Sequence, residues 1–301
     1  MFDRTRRLAP YWGYRTAASL ARALPAPVSA IGGDALVVAM APALWSRRRM
    51  IERHLRRASG GTLEGWALRR AAGRAIQSYV RYWIESFRLS EMTPAELDAG
   101  MDYEGLELLD AALAEGRGVI LALPHLGGWD FGGAWFASQG YQATVVVEPL
   151  DPPELFEWFA DMRRAIGLEV VPLGPDAGTA VLRRLKQGGI VGLVCDRDLP
   201  GTGVEVEFFG ERTTLPSGPA TLALRTGAPL LPVAVYFEGR HGHRGVVRPP
   251  IDVARAGGFR DDVARVTQAL AHELEDLIRR DPSQWHMFQP NWPSDRAEPA
   301  R

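Results

Sequence analysis

From residue 104 onward, hydrophobic and polar positions switch repeatedly between two periods. Leu106, Leu109 and Leu113 recur at helical spacing and stop at Gly116, which predicts a helix. Gly118-Val119-Ile120-Leu121-Ala122-Leu123 follows as an unbroken apolar run, the pattern of a strand buried on both faces. Phe131 to Ser138 reads as a helix closed by Gly140, and Thr144-Val145-Val146-Val147 as a second strand. Asp151-Pro152-Pro153-Glu154 predicts a helix start with Asp151 as N-cap, proline at the first position and glutamate at the third. Leu155, Phe159, Met162 and Ile166 would be its buried stripe, ended by Gly167. Val181, Leu182 and Leu185 mark another helix before Gly188-Gly189, and Ile190 to Val194 is a third buried strand. Val204, Val206 and Phe208 alternate with Glu205 and Glu207, which predicts an edge strand. Leu230 to Phe237 is a further core strand. A long helix over about 260–280 carries Val263, Val266, Leu270, Leu274 and Leu277. Upstream, Ala67, Ala71, Ile76, Val80, Trp83 and Phe87 predict a helix over 62–88.

Alternating helices and apolar strands predict an α/β fold, a mostly parallel central sheet flanked by helices. A helical section, residues 1–100, would face a membrane and precede a core of residues 101–301. The two would form one compact domain, because no linker, repeat or low-complexity stretch separates them.

The membrane expectation comes from the N-terminus. Residues 1–22 carry Arg4, Arg6, Arg7, Arg15 and Arg22, and residues 23–46 contain a single charge, Asp34. The length allows a spanning helix. Pro25, Pro27 and Pro42 interrupt the run, Gly32-Gly33-Asp34 sits within it, and arginines flank both ends, Arg47-Arg48-Arg49 included. The apolar stretch starts too late for a cleaved signal peptide. We therefore read helices lying on an anionic membrane surface, with Tyr11, Trp12 and Trp45 at the interface. A buried helix pair and a span are the alternatives.

Composition narrows the chemistry. Of 301 residues 46% are hydrophobic and 24% charged, the make-up of a packed globular protein. The formal net charge of -1 gives no basic field for nucleic acid, and a single cysteine leaves no internal disulfide or four-cysteine zinc site. No HExxH, GxxxxGK[ST], GxGxxG or Gly-x-Ser-x-Gly pattern occurs, and no metal site or bound cofactor is expected. Cys195 ends a buried strand, where a cysteine is usually a small core residue.

Sites in open α/β sheets lie beyond the carboxyl ends of strands. Pro124-His125-Leu126-Gly127-Gly128-Trp129-Asp130 follows the first strand, Glu148 the second, and Asp196-Arg197-Asp198 the third. His125 and Asp130 would stand about 140° apart on one helix. They meet only if His125 lies on a loop, freed by Gly127 and Gly128, and Asp130 lies in the first helical turn. An aspartate on one imidazole nitrogen would leave the other as a base. Without a protein nucleophile, this pair suits direct attack by a substrate hydroxyl on an activated acyl thioester.

His125-x4-Asp130 after a strand, Phe208-Phe209-Gly210, Leu215-Pro216-Ser217-Gly218-Pro219-Ala220 and Thr226-Gly227-Ala228-Pro229 occur in this order. Together they resemble the lysophospholipid-acyltransferase-like superfamily, in the branch of the lipid A lauroyl/myristoyl acyltransferases. The resemblance covers about residues 100–290 and implies the glycerol-3-phosphate acyltransferase-like fold. Val194-Cys195-Asp196-Arg197-Asp198-Leu199 and Trp285-His286-Met287-Phe288-Gln289-Pro290-x-Trp292 make it most similar, within that branch, to phosphatidylinositol mannoside acyltransferases of actinobacteria. The resemblance implies palmitoyl transfer from acyl-CoA, a co-substrate, to a mannose hydroxyl of a glycolipid acceptor. The reaction would run peripherally at the cytoplasmic face of the inner membrane. It implies His125 as base, Asp130 as its partner and Glu148 near the base. Arg163 or Arg164 would meet CoA or lipid phosphate. Asp196 and Asp198 would bind sugar hydroxyls or hold Arg197. Ser217 and Gly218 would open a helix whose amides receive phosphate or an oxyanion. A lipid A-type acceptor, hydrolysis by water, or a non-catalytic lipid-binding protein of the same fold are the alternatives.

Overall fold

The structure, a computed structural model, describes residues 2–23 and 45–296. The main sheet has seven strands in the spatial order β1, β9, β8, β2, β5, β3, β4. These are β1 (Met101–Glu104), β2 (Val119–Leu123), β3 (Ala143–Val147), β4 (Glu169–Pro172), β5 (Ile190–Val194), β8 (Leu230–Glu238) and β9 (Gly242–Val247). β8, β2, β5, β3 and β4 run parallel. β9 turns back antiparallel to β8, and β1 lies parallel to β9. The α/β fold with a mostly parallel, helix-flanked sheet is thus the architecture found.

The central strands β2 and β5 are apolar at every position because both faces are covered. Ile120 and Ala122 of β2 point into a cluster with Val266, Leu270, Leu274 and Leu277 of the long helix Phe259–Arg280. Val119 and Leu121 point the other way, against Leu109, Leu168 and Val233. All five residues foreseen as the stripe of the long C-terminal helix are buried.

Other expectations need correction. The helix Gly65–Ser86 buries Leu68, Ala71, Ala72, Ala75 and Ile76, but Ala67 is exposed. Val204–Phe208, expected as a sheet edge, forms β6. It pairs antiparallel with β7 (Glu211–Leu215) in a separate hairpin, burying Val206 and Phe208. Asp151 does not cap the helix Pro153–Ala165. Pro152 takes the N-cap position, while the Asp151 carboxylate turns outward and accepts from Arg7 at 2.9 Å.

The helix Phe2–Ala23 rests on the helix Pro153–Ala165 through Ala18, Ala21, Leu155 and Phe159, with Phe87 between them. The interrupted apolar run with Pro25, Pro27, Gly32-Gly33-Asp34 and Pro42 lies outside the described residues, as does the side chain of Trp45. Among the described residues no helix is long and apolar enough to cross a membrane.

Candidate active site

The register of β2 against β5 sets the centre. Leu123 pairs with Val194, and the Cys195 amide continues the ladder to the Leu123 carbonyl at 2.9 Å. His125 and Asp196 each stand two residues beyond that last pair, on neighbouring strand ends. His125 Nδ1 lies 2.6 Å from Asp196 Oδ1, and the His125 amide donates to Oδ2 at 3.0 Å. The indole N–H of Trp285 donates to the same Oδ2 at 2.7 Å. Asp196 is wholly shielded from solvent, while the His125 side chain keeps a third of its exposure. Burial alone would raise the Asp196 pKa. The charge of His125 and the three hydrogen bonds outweigh it, and the pKa is held below the usual carboxylate value. The imidazole therefore has an ionised carboxylate on Nδ1, which leaves Nε2 for a substrate.

The pairing of His125 with Asp130 is not what the fold makes. His125 does lie on the loop, and Asp130 does lie in the first turn of the helix Trp129–Ser138. That turn aims the Asp130 carboxylate at a different pair of elements. It accepts from Tyr82 Oη at 2.7 Å and from Arg163 at 3.1 Å (Nε) and 3.0 Å (Nη2). Burial opposes the Arg163 charge, yet Asp130 more than restores it, and its pKa is raised. Burial and the neighbouring carboxylate push the Tyr82 phenol well up. Trp129 joins the two groups: its indole meets His125 edge-on at 5.6 Å and stacks on Tyr82 at 4.0 Å.

The loop between β2 and this helix needs its two glycines. Gly127 has φ +59, and a Cβ there would meet the Val235 carbonyl oxygen at 2.1 Å. A Cβ on Gly128 would meet the His243 ring at 2.7 Å. These contacts draw the loop onto β8, where the Gly128 amide donates to Val235 at 2.9 Å.

A cavity of about 1040 Å³ opens beside His125. Its lining includes Glu148, Arg163, Arg197, Asp198, Ser217 and Gly218 and the apolar residues Leu121, Val145, Leu168 and Val233. The volume is at the upper end of the roughly 300–1,000 Å³ common for small-molecule sites. Arg197 binds Glu148 at 2.8 Å and also reaches Gln289. Contrary to the sequence expectation, neither Asp196 nor Asp198 holds it. Asp198 spends its oxygens on the amides of Gly201 (3.1 Å) and Gly203 (2.8 Å), which closes its own turn. Asp196 is too buried to receive a sugar. Arg164 points outward to Asp161 and Glu157 and does not line the cavity. Burial pushes the Cys195 thiol far up, so it holds no thiolate.

Two contributors, Trp285 and Tyr82, were not foreseen in these roles. Trp285 and His286 belong to a motif noted in the sequence, but nothing in its spacing says that it returns to the β2 loop. Tyr82 lies inside the predicted helix over 62–88 but outside its apolar stripe, and gives no separate signal.

A family model described as bacterial lipid A biosynthesis acyltransferase matches residues 2–294. A phosphatidylinositol mannoside acyltransferase of Mycobacterium tuberculosis is 45% identical over 232 residues, which is 75% of this chain and 72% of the relative. Its namesake from Mycolicibacterium smegmatis is 41% identical over 230 residues, covering 75% and 74%. A lipid A biosynthesis acyltransferase of Haemophilus influenzae is 26% identical over 188 residues, covering 61% and 56%. With a match along nearly its whole length and relatives at this identity, the chain belongs to the bacterial lipid A biosynthesis acyltransferase family and is an acyltransferase.

Proposed function

We propose that this acyltransferase moves a palmitoyl group from acyl-CoA to a mannose hydroxyl of a phosphatidylinositol mannoside, working peripherally at the cytoplasmic face of the inner membrane. The observation that carries the chemistry is the imidazole of His125, held at Nδ1 by buried Asp196 beside a large apolar cavity. In this reading Nε2 removes the proton of the acceptor hydroxyl as its oxygen attacks the thioester carbonyl. Asp196 stabilises the imidazolium formed, and the thiolate of CoA leaves as the tetrahedral intermediate collapses. No covalent enzyme intermediate is needed. The apolar part of the cavity lining suits the acyl chain. Arg197, which lines the cavity, suits phosphate and sugar oxygens, and the amides opening the helix Gly218–Thr226 suit an oxyanion.

The acceptor rests on the two mycobacterial relatives, named for this activity and at least 41% identical. A lipid A precursor is the competing acceptor. Labelled palmitoyl-CoA incubated with phosphatidylinositol mannosides, phosphatidylinositol and a lipid A precursor decides between them. Label should move to the mannoside alone, and better use of the lipid A precursor would overturn the choice of acceptor. His125→Ala should stay folded and lose about 10²–10⁴-fold in transfer. Wild-type turnover by the folded variant would overturn the base role.

A further inference from the structure

We propose that Trp285 is a positioning residue for acyl transfer: its indole N–H fixes the Asp196 carboxylate so that Oδ1 is presented to His125 Nδ1. The proposal rests on the reading of His125 as the base.

Trp285 is 3% exposed and is not among the residues lining the cavity, so it acts on the reaction only through another group. The group it touches is Asp196, at 2.7 Å. A carboxylate has two equivalent oxygens and turns about its last bond unless something distinguishes them. Here Oδ2 receives two N–H donors, from Trp285 and from the His125 backbone, while Oδ1 receives His125 Nδ1. An indole N–H can only donate. It therefore disfavours a proton on Oδ2, which would bring two hydrogens together. The buried acid stays ionised, with one free face toward the imidazole. A buried carboxylate deprived of donors is strongly disfavoured, so the bond matters more here than at a surface.

The backbone around Trp285 is tied to both members of the pair. The Gly127 amide donates to Gln284 O at 3.0 Å, and the His286 amide donates to His125 O at 2.8 Å. Segment 284–286 therefore runs beside the His125 loop, with a bridge between Leu126 and Trp285. Further on, Asn291 Nδ2 donates to the Asp196 carbonyl at 3.1 Å. That end is anchored by Asp295, whose Oδ2 accepts from the Asn291 and Trp292 amides and contacts His54 Nε2 at 3.1 Å. The strap thus holds His125 by its backbone and Asp196 by side chain and backbone, and Trp285 is its contact with the carboxylate itself.

The test compares three variants. Trp285→Phe removes the N–H along with some volume. Replacement of Trp285 by 3-benzothienylalanine keeps the bicyclic shape and removes only the N–H. Trp292→Phe removes an equally buried indole N–H that donates to the Phe208 carbonyl at 3.1 Å and not to a carboxylate. Both Trp285 variants should lower kcat by roughly 10- to 100-fold, by analogy with the loss of residues that orient a functional side chain through one hydrogen bond. KM for palmitoyl-CoA should change little. In proton spectra of histidine-labelled protein, the downfield imidazole N–H assigned to His125 by its loss in His125→Ala should move or disappear. Trp292→Phe should leave that resonance in place. The shape-preserving variant covers the case in which Trp285→Phe merely unpacks. Wild-type kcat and an unmoved resonance in the benzothienyl variant would overturn the proposal, and so would an equal movement in Trp292→Phe. The resonance reads the His125–Asp196 contact without substrate, so it separates failure of this proposal from failure of the base reading, which shows as activity in His125→Ala.

Discussion

Asp196 holds a charge out of contact with water, and its value to the reaction lies in that isolation. A neutral asparagine in its place leaves the Trp285 and His125 donors partly matched but removes the negative charge that stabilises an imidazolium. It also permits the wrong tautomer of His125. Asp196→Asn should therefore lower kcat by about 10²–10⁴-fold. Asp130→Asn acts elsewhere. It leaves the guanidinium of Arg163, itself largely buried, without its counter-charge, and should cost on the order of 3 kcal/mol of stability in urea unfolding. Transfer per folded molecule should fall less than in Asp196→Asn. Equal losses in the two would restore Asp130 as the direct partner of His125. His286 provides a test by pH. Burial first, and the charge of His125 second, hold its pKa far below the ordinary 6.5, at about 3. The unfolded chain takes up a proton below pH 6.5 and the folded chain does not until about 3. Stability from this group is complete above 6.5. It falls by about 1.4 kcal/mol per pH unit as the pH drops from there toward 3. His286→Gln should start less stable and show a flatter decline of the urea midpoint between pH 7 and pH 5. An unchanged slope would show that His286 is not held neutral.

At the scale of elements, β2, β3, β5 and β8 are legible in the sequence because a strand covered on both faces is largely apolar, and β6 because its apolar residues alternate with glutamates. β1, β4, β7 and β9 carry no such pattern. Met-Asp-Tyr-Glu of β1 and Glu-Val-Val-Pro of β4 lie at the two sheet margins, and their mixed composition does not separate them from loop. His125 could be found as a candidate because it follows a buried strand and precedes a diglycine. The partnership with Asp196 could not, because it depends on β2 and β5 being neighbours with Leu123 opposite Val194. Seventy-one residues separate the pair, and only strand order brings them level. The same loop gives a prediction at this scale. Gly127→Ala combines a left-handed backbone with a Cβ driven against the Val235 carbonyl, a conflict that backbone movement must relieve. It should destabilise by about 1–3 kcal/mol or more and displace His125. Refolded protein should then lose transfer, although no functional side chain has been changed. Normal kcat would mean that the loop does not set the imidazole.

At the scale of the whole molecule, the proposed function requires the cavity to reach an acceptor held in a lipid surface. The helix Phe2–Ala23 turns Ala18 and Ala21 inward and leaves Trp12 and Leu20 more than half exposed. Arg15 lies within cation–π reach of both Tyr11 and Trp12. On the helix Gly65–Ser86, Trp66 is 72% exposed with Arg70 over its ring. Large indoles beside arginines are the side chains that settle at a lipid headgroup boundary, the ring among acyl chains and the cation on phosphate. None of these three side chains belongs to the buried core. Their removal should therefore alter membrane affinity more than stability. We expect the protein to sediment with vesicles containing anionic phospholipid and to be released in large part by high salt or an alkaline wash. Trp12→Ala and Trp66→Ala should each weaken sedimentation at unchanged thermal midpoint. The double variant should use a soluble mannoside analogue normally while failing on acceptor presented in vesicles. Retention on membranes until detergent is added, with both indoles replaced, would place the attachment in another part of the chain.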